Sequence, residues 1–570
     1  MKIISGIAAS NGIAIGPIFL YEEEDLSFER SRCSDSTKEM KRLNGALEKA
    51  RGEIETIRDK AEAETGSDEA AIFEAHAMFL DDPALLEAVE KTIKEEQLNL
   101  ESAWMDSIEM YASQMEAMED EYFKARAADI RDVGNRILRI LLGKQETDLS
   151  SMTSNAVVVA RDLTPSDTVR MNKKLVLGFS TVEGGPTSHT AILAKALGLP
   201  AVVGAGSELL KHADTKKIII DGSTGVIILD PDKKQVKEYQ EKQGKEEKRS
   251  KIALEHAHEP ARTRDGHTVE IVANAGGPED AASALEHGAE GIGLLRTEFL
   301  YLDSKTAPDE ETQLAAYTAV LDVMGKRPVV VRTIDVGGDK EIPYINLGRE
   351  ANPFLGFRAI RMCLQDPEFF KTQLRALVRA SFGHDLRIMF PMIATIEEVR
   401  QAKVLLEEAK REVYKANHSI ARTIQVGIMV EIPSVAILAD LFAREVDFFS
   451  IGTNDLTQYT LAAERTNDRV AYLGDACHPA VLREIARVIE EAHKQKIWTG
   501  VCGELAGDPD AVPILLGLGL DEFSMAPSLI PRAKEIIREW KLKDARKAAA
   551  AVLNLHTARE VREFIHSQKP

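Results

Sequence analysis

VGIMVE at 426–431 and DFFSIG at 447–452 are short runs of β-branched and aromatic residues. The same texture recurs in VEIVA (269–273), GIGLL (291–295), VVVRTI (329–334), LRIMF (386–390), WTGVC (498–502) and DEFSM (521–525), with helical patterns between most of them. Eight such runs alternating with helices over 261–570 predict a (β/α)8 TIM barrel. Barrels of this type carry their chemistry where the strands end at their C-terminal side. Those ends hold Asn274, Arg296, Arg332, Pro391, Glu431, Asn454 with Asp455, Cys502 and Pro527. Most of them offer a polar group or a thiol, and ordinary loops do not favour arginine at the close of two buried strands. The ends are therefore expected to form a catalytic mouth.

Upstream, residues 231–260 are polar, helix-prone and poor in apolar positions, the pattern of an exposed helical linker and a plausible hinge. From Asn155 to about 230, strands and turns dominate (AVVVARDL, KLVLGFS, PAVVG, KIIIDG, GVIILD), with one helix near 188–197. Residues 1–20 share that texture, whereas 36–145 read as helix almost throughout, interrupted only at Pro83. The expected organisation is multidomain α/β. An α/β domain (1–20 and 148–230) holds an inserted helical bundle (21–147), followed by the linker (231–260) and the barrel (261–570).

The net charge of −20 argues against general nucleic-acid binding. Between 21 and 147 there are 32 acidic and 17 basic side chains, so most of the excess lies in the helical block. From Ala61 to Glu90 nine acids occur with no Lys or Arg. This is either a solvated face or a docking surface for a basic protein. His76 lies in the same block, where it either reaches a partner or sits on a helix surface. No run of about 18 apolar residues suggests a membrane span, and the N-terminus lacks the pattern of a secretory signal. Four scattered cysteines, Cys33, Cys363, Cys477 and Cys502, point away from disulfides and zinc and towards a reducing cytoplasm.

One segment stands apart. In GGPTSHTAILA (184–194) a double glycine permits a tight turn, Thr187 or Ser188 can cap the following helix, and His189 falls in its first turn. Free N–H groups and the helix dipole favour an anion there. A neutral imidazole nitrogen can act as a covalent nucleophile. At the mouth, Arg296, Arg332 and Arg465 can present planar forks to oxyanions, with Arg358 and Arg361 as further candidates and no equal number of acids expected nearby. Glu431 and Asp455 suit Mg²⁺, which takes few protein ligands, although Asp455 alone would also fit a helix cap. Asn454 can hydrogen-bond a phosphate.

GGPTSHTAILAKALGLPAVVG (184–204) closely resembles the phosphohistidine signature of the phosphoenolpyruvate-utilising enzymes. DLTPSDT (162–168), GIGLLRTEFLY (291–301), RTIDVGGDKEIPY (332–344), NPFLGFRAIR (352–361), VGIMVEIPS (426–434), FFSIGTNDLTQYTLAAERTN (448–467), VCGELAGDP (501–509) and FEAHAMFLDDP (73–83) extend the likeness along the whole chain, most closely to the enzyme I family of the bacterial sugar phosphotransferase system. One departure is Lys195, where that pattern commonly has Arg.

The resemblance implies phosphoryl transfer from phosphoenolpyruvate to His189 and onward to the histidine-containing phosphocarrier HPr, the first step of sugar uptake by that system. It implies a phosphoenolpyruvate site of Arg296, Arg332, Asn454, Asp455 and Arg465, with Mg²⁺ on Glu431 and Asp455. It makes Cys502 the acid that protonates the pyruvate enolate, the acidic helices the HPr site, the α/β domain a swivelling one, and the barrel the seat of a homodimer. An ATP-dependent dikinase or synthase of the same superfamily would need an ATP-grasp domain, for which no residues are left over. A silent regulatory homologue would be expected to lose a nucleophile or a metal ligand. A nitrogen-regulatory paralogue would be expected to carry a sensory domain ahead of residue 1.

Overall fold

The computed structural model describes residues 2–568 except 22–25, 34, 65–75, 117–120, 145–148, 150–151, 164–170, 173, 186–188, 213–215, 303–305, 338–341, 343, 345–349, 351, 465–466 and 468–469. It divides into two compact units, Met1–Glu246 and Glu247–Pro570.

The first unit contains β1 (Lys2–Ser5), β2 (Ile7–Ser10), β3 (Ile13–Gly16), β4 (Ile18–Tyr21), β5 (Ala156–Ala160), β6 (Val176–Thr181), β7 (Ala201–Val203), β8 (Ile218–Asp221) and β9 (Val226–Leu229). One sheet runs β2-β7-β6-β5-β4 and a second β1-β9-β8-β3. β5 shows why its sequence is an unbroken apolar run. Ala156, Val158 and Ala160 enter one core and Val157 and Val159 another, so both faces of a parallel strand are covered.

Between β4 and β5 stand the helices Ser36–Glu64, Pro83–Glu95, Leu100–Glu116 and Glu121–Leu142. Leu47, Ile54, Leu85, Val89, Trp104, Ile108 and Ile137 are among those that meet in their core. Pro83 opens a helix rather than simply breaking one. It occupies the first turn, and the Asp82 carboxylate caps it by accepting from Ala84 N at 2.8 Å and Leu85 N at 3.3 Å. Gly134 lets two helices approach closely. A Cβ there would lie 2.6 Å from Ile108 Cγ2, and the Gly134 carbonyl accepts from Trp104 Nε1 at 2.9 Å. His76 is neither on the surface nor open to a partner. It is buried, with one ring nitrogen 3.9 Å from Asp129 and the other 3.9 Å from Asp132, both on the later helix Glu121–Leu142.

The second unit begins with a two-residue strand, β10 (Ala261–Arg262), paired antiparallel to β11 (Thr268–Ala275). Then follow β12 (Ile292–Leu295), β13 (Val329–Arg332), β14 (Leu386–Phe390), β15 (Val426–Val430), β16 (Phe448–Ile451), β17 (Trp498–Val501) and β18 (Glu522–Met525). β11 to β18 pair in parallel, and β18 returns to β11 with Ile271 opposite Phe523, closing an eight-strand barrel. Leu294, Val330, Met389, Met429 and Phe448 pack inside it. Asn454 and Asp455 do not end a strand. β16 stops at Ile451, and both lie in the first turn of the helix Thr453–Leu461.

The helix Lys233–Glu255 spans the division. Its early turns belong to the first unit, where Val236 and Tyr239 pack near Ile13, Ile219 and Ile228 and Gln243 donates to Ile13 O at 3.1 Å. Its last turns and the residues after it belong to the second. Arg249 pairs with Glu535 and Glu539, both at 2.7 Å; buried Lys534 donates to Ala257 O at 2.9 Å; and Arg538 donates to His256 O at 2.8 Å. No helix among the described residues is long and apolar enough to cross a membrane.

Candidate active site

Arg332 is the last residue of β13, and its guanidinium is drawn out of water. A buried cation must be paired. Arg332 Nη2 donates to Glu298 Oε1 at 3.0 Å, and Nη1 lies 3.1 Å from Asp335 Oδ2. Arg358, also buried, donates from Nη2 to Asp335 Oδ1 at 2.8 Å and places Nη1 3.6 Å from Asp455 Oδ1. Burial alone would pull both arginines down. Glu298, Asp335 and Glu431 around Arg332, and Asp335, Asp455 and Glu431 around Arg358, outweigh it and hold both above the ordinary arginine value. The expected mouth with arginines and few acids is thus corrected to a linked network in which Glu298, Asp335, Glu431 and Asp455 surround Arg332 and Arg358.

The loop behind this chain is tied down by uncharged groups. Thr297 Oγ1 donates to Arg332 O at 3.0 Å, Gln373 Nε2 donates to Thr297 Oγ1 at 3.2 Å, and Gln373 Oε1 accepts from Ile334 N at 3.0 Å. Arg296, just past β12, is solvent-exposed and makes no ion pair among the described residues. Arg361 is not brought to the site. It donates to Leu355 O at 3.1 Å and Gly356 O at 2.7 Å, pinning its own loop.

Glu431 is the first residue after β15 and is buried. Its Oε1 accepts from Met392 N at 2.5 Å, beside a Met392 backbone at φ 54°. Burial first, then the charges of Asp455 and Asp335, push its carboxyl up to about 8 despite Arg332 and Arg358. Gly452 leaves the carboxylate room, since a Cβ there would lie 3.1 Å from Glu431 Oε2. Asp455 is buried and does not cap its helix, whose cap position is Gly452 without a side-chain bond. Asn454 Oδ1 accepts from Glu504 N at 3.2 Å.

The chemistry of this pair fits a divalent cation. Burial and the nearby charge of Asp455 raise the Glu431 carboxyl even with Arg332 and Arg358 close by, so a cation bound between the two carboxylates would be favoured. A small divalent cation takes one or two protein carboxylates and completes its shell with substrate oxygens and water.

Cys502 follows β17 and is buried, with its thiol 3.7 Å from Ile451 O. Burial pushes the thiol up to about 11, so it stays protonated at neutral pH. Cys363 and Cys477 are buried and Cys33 half-buried elsewhere.

In the first unit, Gly184 takes φ 100° and the helix His189–Leu197 begins at the histidine. Thr190 Oγ1 donates to Asp162 Oδ1 at 3.4 Å. The side chains of His189 and Lys195, the capping candidates Thr187 and Ser188, most of DLTPSDT, and Arg465 lie outside the described residues. Sequence reasoning missed Glu298, Asp335 and Gln373. The first two stand inside the quoted motifs RTEFLY and RTIDVGG, and the third gives no local signal.

Three segments match family descriptions. Residues 5–126 match the PEP-utilising enzyme N-terminal region, 152–225 the mobile domain and 251–542 the PEP-binding domain. Proteins named phosphoenolpyruvate-protein phosphotransferase are similar along nearly their whole length. That of Priestia megaterium is 48% identical over 99% of both chains. That of Geobacillus stearothermophilus is 48% identical over 99% of this chain and 98% of its own. That of Bacillus subtilis (strain 168) is 47% identical over 99% of both. With the barrel, its charged mouth and these likenesses together, the chain belongs to the phosphoenolpyruvate-utilising enzymes, in their phosphoenolpyruvate-protein phosphotransferase family.

Proposed function

We propose that this enzyme takes the phosphoryl group of phosphoenolpyruvate onto His189 and passes it to HPr, opening the sugar phosphotransferase relay. The observation that carries the reading is the meeting of Arg332, Arg358, Glu431, Asp455 and Cys502, from separate segments, at the C-terminal mouth of one barrel. Arg332, Arg296 and Arg465 receive the carboxylate and phosphate of the substrate, and Asn454 adds a hydrogen bond. Glu431 and Asp455 hold Mg²⁺, which neutralises substrate charge when bound. A ring nitrogen of His189 forms the N–P bond as the bridging P–O bond breaks. The electron pair left behind makes an enolate, and Cys502 gives its proton to the terminal carbon.

Collecting and delivering phosphate requires His189 to approach the barrel mouth and leave it. The helix Lys233–Glu255 is the connection through which the swivelling α/β domain (1–20 and 148–230) moves. The acidic helices of 21–147 receive HPr. The barrel pairs with a second copy; exposed Ile437, Leu438, Leu441, Tyr472 and Leu473 support that reading. Four unpaired cysteines suit work in the cytoplasm.

Incubation with labelled phosphoenolpyruvate and Mg²⁺ tests the proposal. Acid-labile label should appear, vanish with chelator, and move to added HPr. Labelling that depends on ATP instead would favour a dikinase.

A further inference from the structure

Cys502 is held from a strand that does not neighbour its own. β17 pairs with β16 and β18, and β11 pairs with β10, β12 and β18. Even so, Asn274 Nδ2, on β11, donates to the Cys502 backbone carbonyl at 3.0 Å. The reach passes over β18, where fully buried Ser524 donates from Oγ to Asn274 Oδ1 at 2.6 Å. A carbonyl can only accept and Ser524 supplies the proton on the other side, so the amide has one workable orientation. β12 keeps the space open: a Cβ on Gly293 would lie 2.6 Å from Ser524 Oγ and 2.6 Å from Val272 Cγ2.

This bond takes over where the sheet stops. The β17–β18 register ends at Val501 opposite Phe523. Cys502 N still donates to Ile451 O at 3.1 Å, but its carbonyl is satisfied by a side chain. On the far side, a Cβ at Gly503 would lie 2.0 Å from Thr453 Oγ1, so the chain runs tight against the helix that carries Asp455. The residue bearing the thiol is thus fixed at both of its peptide groups.

We infer that Asn274 is a positioning residue for the protonation step, fixing the Cys502 backbone so that the thiol meets one face of the enolate carbon. The inference rests on the proposed role of Cys502. In that step the thiol S–H bond breaks, a C–H bond forms on the methylene carbon, and the thiolate regains its proton from water. Misplacement of a reacting group by about 1 Å lowers rates by about 100-fold.

Asn274→Ala should lower kcat by about 10- to 100-fold with the KM for phosphoenolpyruvate within about twofold. Ser524→Ala, which only frees the amide, should lose less in the same direction. The second readout is the hydrogen isotope ratio in the pyruvate methyl group formed in mixed H₂O and D₂O. Both variants should move towards the ratio given by Cys502→Ala, in which solvent protonates the enol. A space-filling role would lower stability and leave that ratio at the wild-type value. Should Asn274→Ala fail to fold, Ser524→Ala decides. Wild-type kcat in the variants, or slow turnover with the wild-type ratio, overturns the inference. If Cys502→Ala itself turns over normally, the acid assignment falls and the inference with it. If only Cys502→Ala is slow, positioning by Asn274 alone is wrong.

Discussion

Arg358 Nη2 donates to Asp335 Oδ1 at 2.8 Å, with both side chains closed to solvent. The other oxygen of Asp335 lies 3.1 Å from Arg332 Nη1, so one carboxylate bridges two guanidinium groups. Removing one partner of a buried pair leaves an uncompensated charge, at about 3–5 kcal/mol. Asp335→Ala should lose stability of that order in urea unfolding and raise the KM for phosphoenolpyruvate, because both arginines lose their fixed direction.

Glu522, at the start of β18, provides a pH test away from the mouth. Burial raises its carboxyl to about 8, with Glu270 and Asp521 adding to the rise and Arg387 opposing it. Unfolded, the same group titrates near 4.3. Between those values the folded state holds a proton that the unfolded state has released. Stability from this group is therefore full below the unfolded value and falls as pH rises towards 8. Glu522→Gln should gain on the wild type by a few kcal/mol between pH 5 and 8.5, as an order of magnitude. The comparison of urea midpoints at the two pH values measures it, and a constant difference would contradict the account.

The C-terminal helix Ala558–Gln568 is fastened to the loops behind the mouth by Arg562. Its Nε lies 2.8 Å from Asp475 Oδ2 and its Nη1 2.8 Å from Asp508 Oδ2, in the loop that follows Cys502. Charged hydrogen bonds contribute about 1.5–3 kcal/mol each. Arg562→Ala should destabilise the second unit by an amount of that order. It should also speed amide exchange at 503–510, while Arg562→Lys, lacking the fork, should restore only part of the loss.

The barrel was legible because parallel strands buried on both faces must be written as unbroken apolar runs, as VGIMV and FFSI are. Their polar ends, Arg332, Glu431 and Cys502, followed from that reading. What balances those ends was not legible. Glu298, Asp335 and Gln373 acquire their roles from loops brought together only when the sheet closes, as do the partners of Asn274 across β18. Nothing local in the sequence marks Lys534, which is buried against backbone carbonyls, or Arg562, which gathers aspartates from distant loops. His76 misled for the same reason: it is buried beside Asp129 and Asp132, which lie more than fifty residues along the chain.

The central claim is that phosphate passes through a single imidazole. Brief exposure of the purified chain to phosphoenolpyruvate and Mg²⁺, followed by peptide mass spectrometry under alkaline conditions, locates it directly. The account predicts one phosphorylated residue, His189, and no phosphopeptide from His189→Ala. Phosphate on any other residue of the wild type, or persisting in that variant, would contradict it.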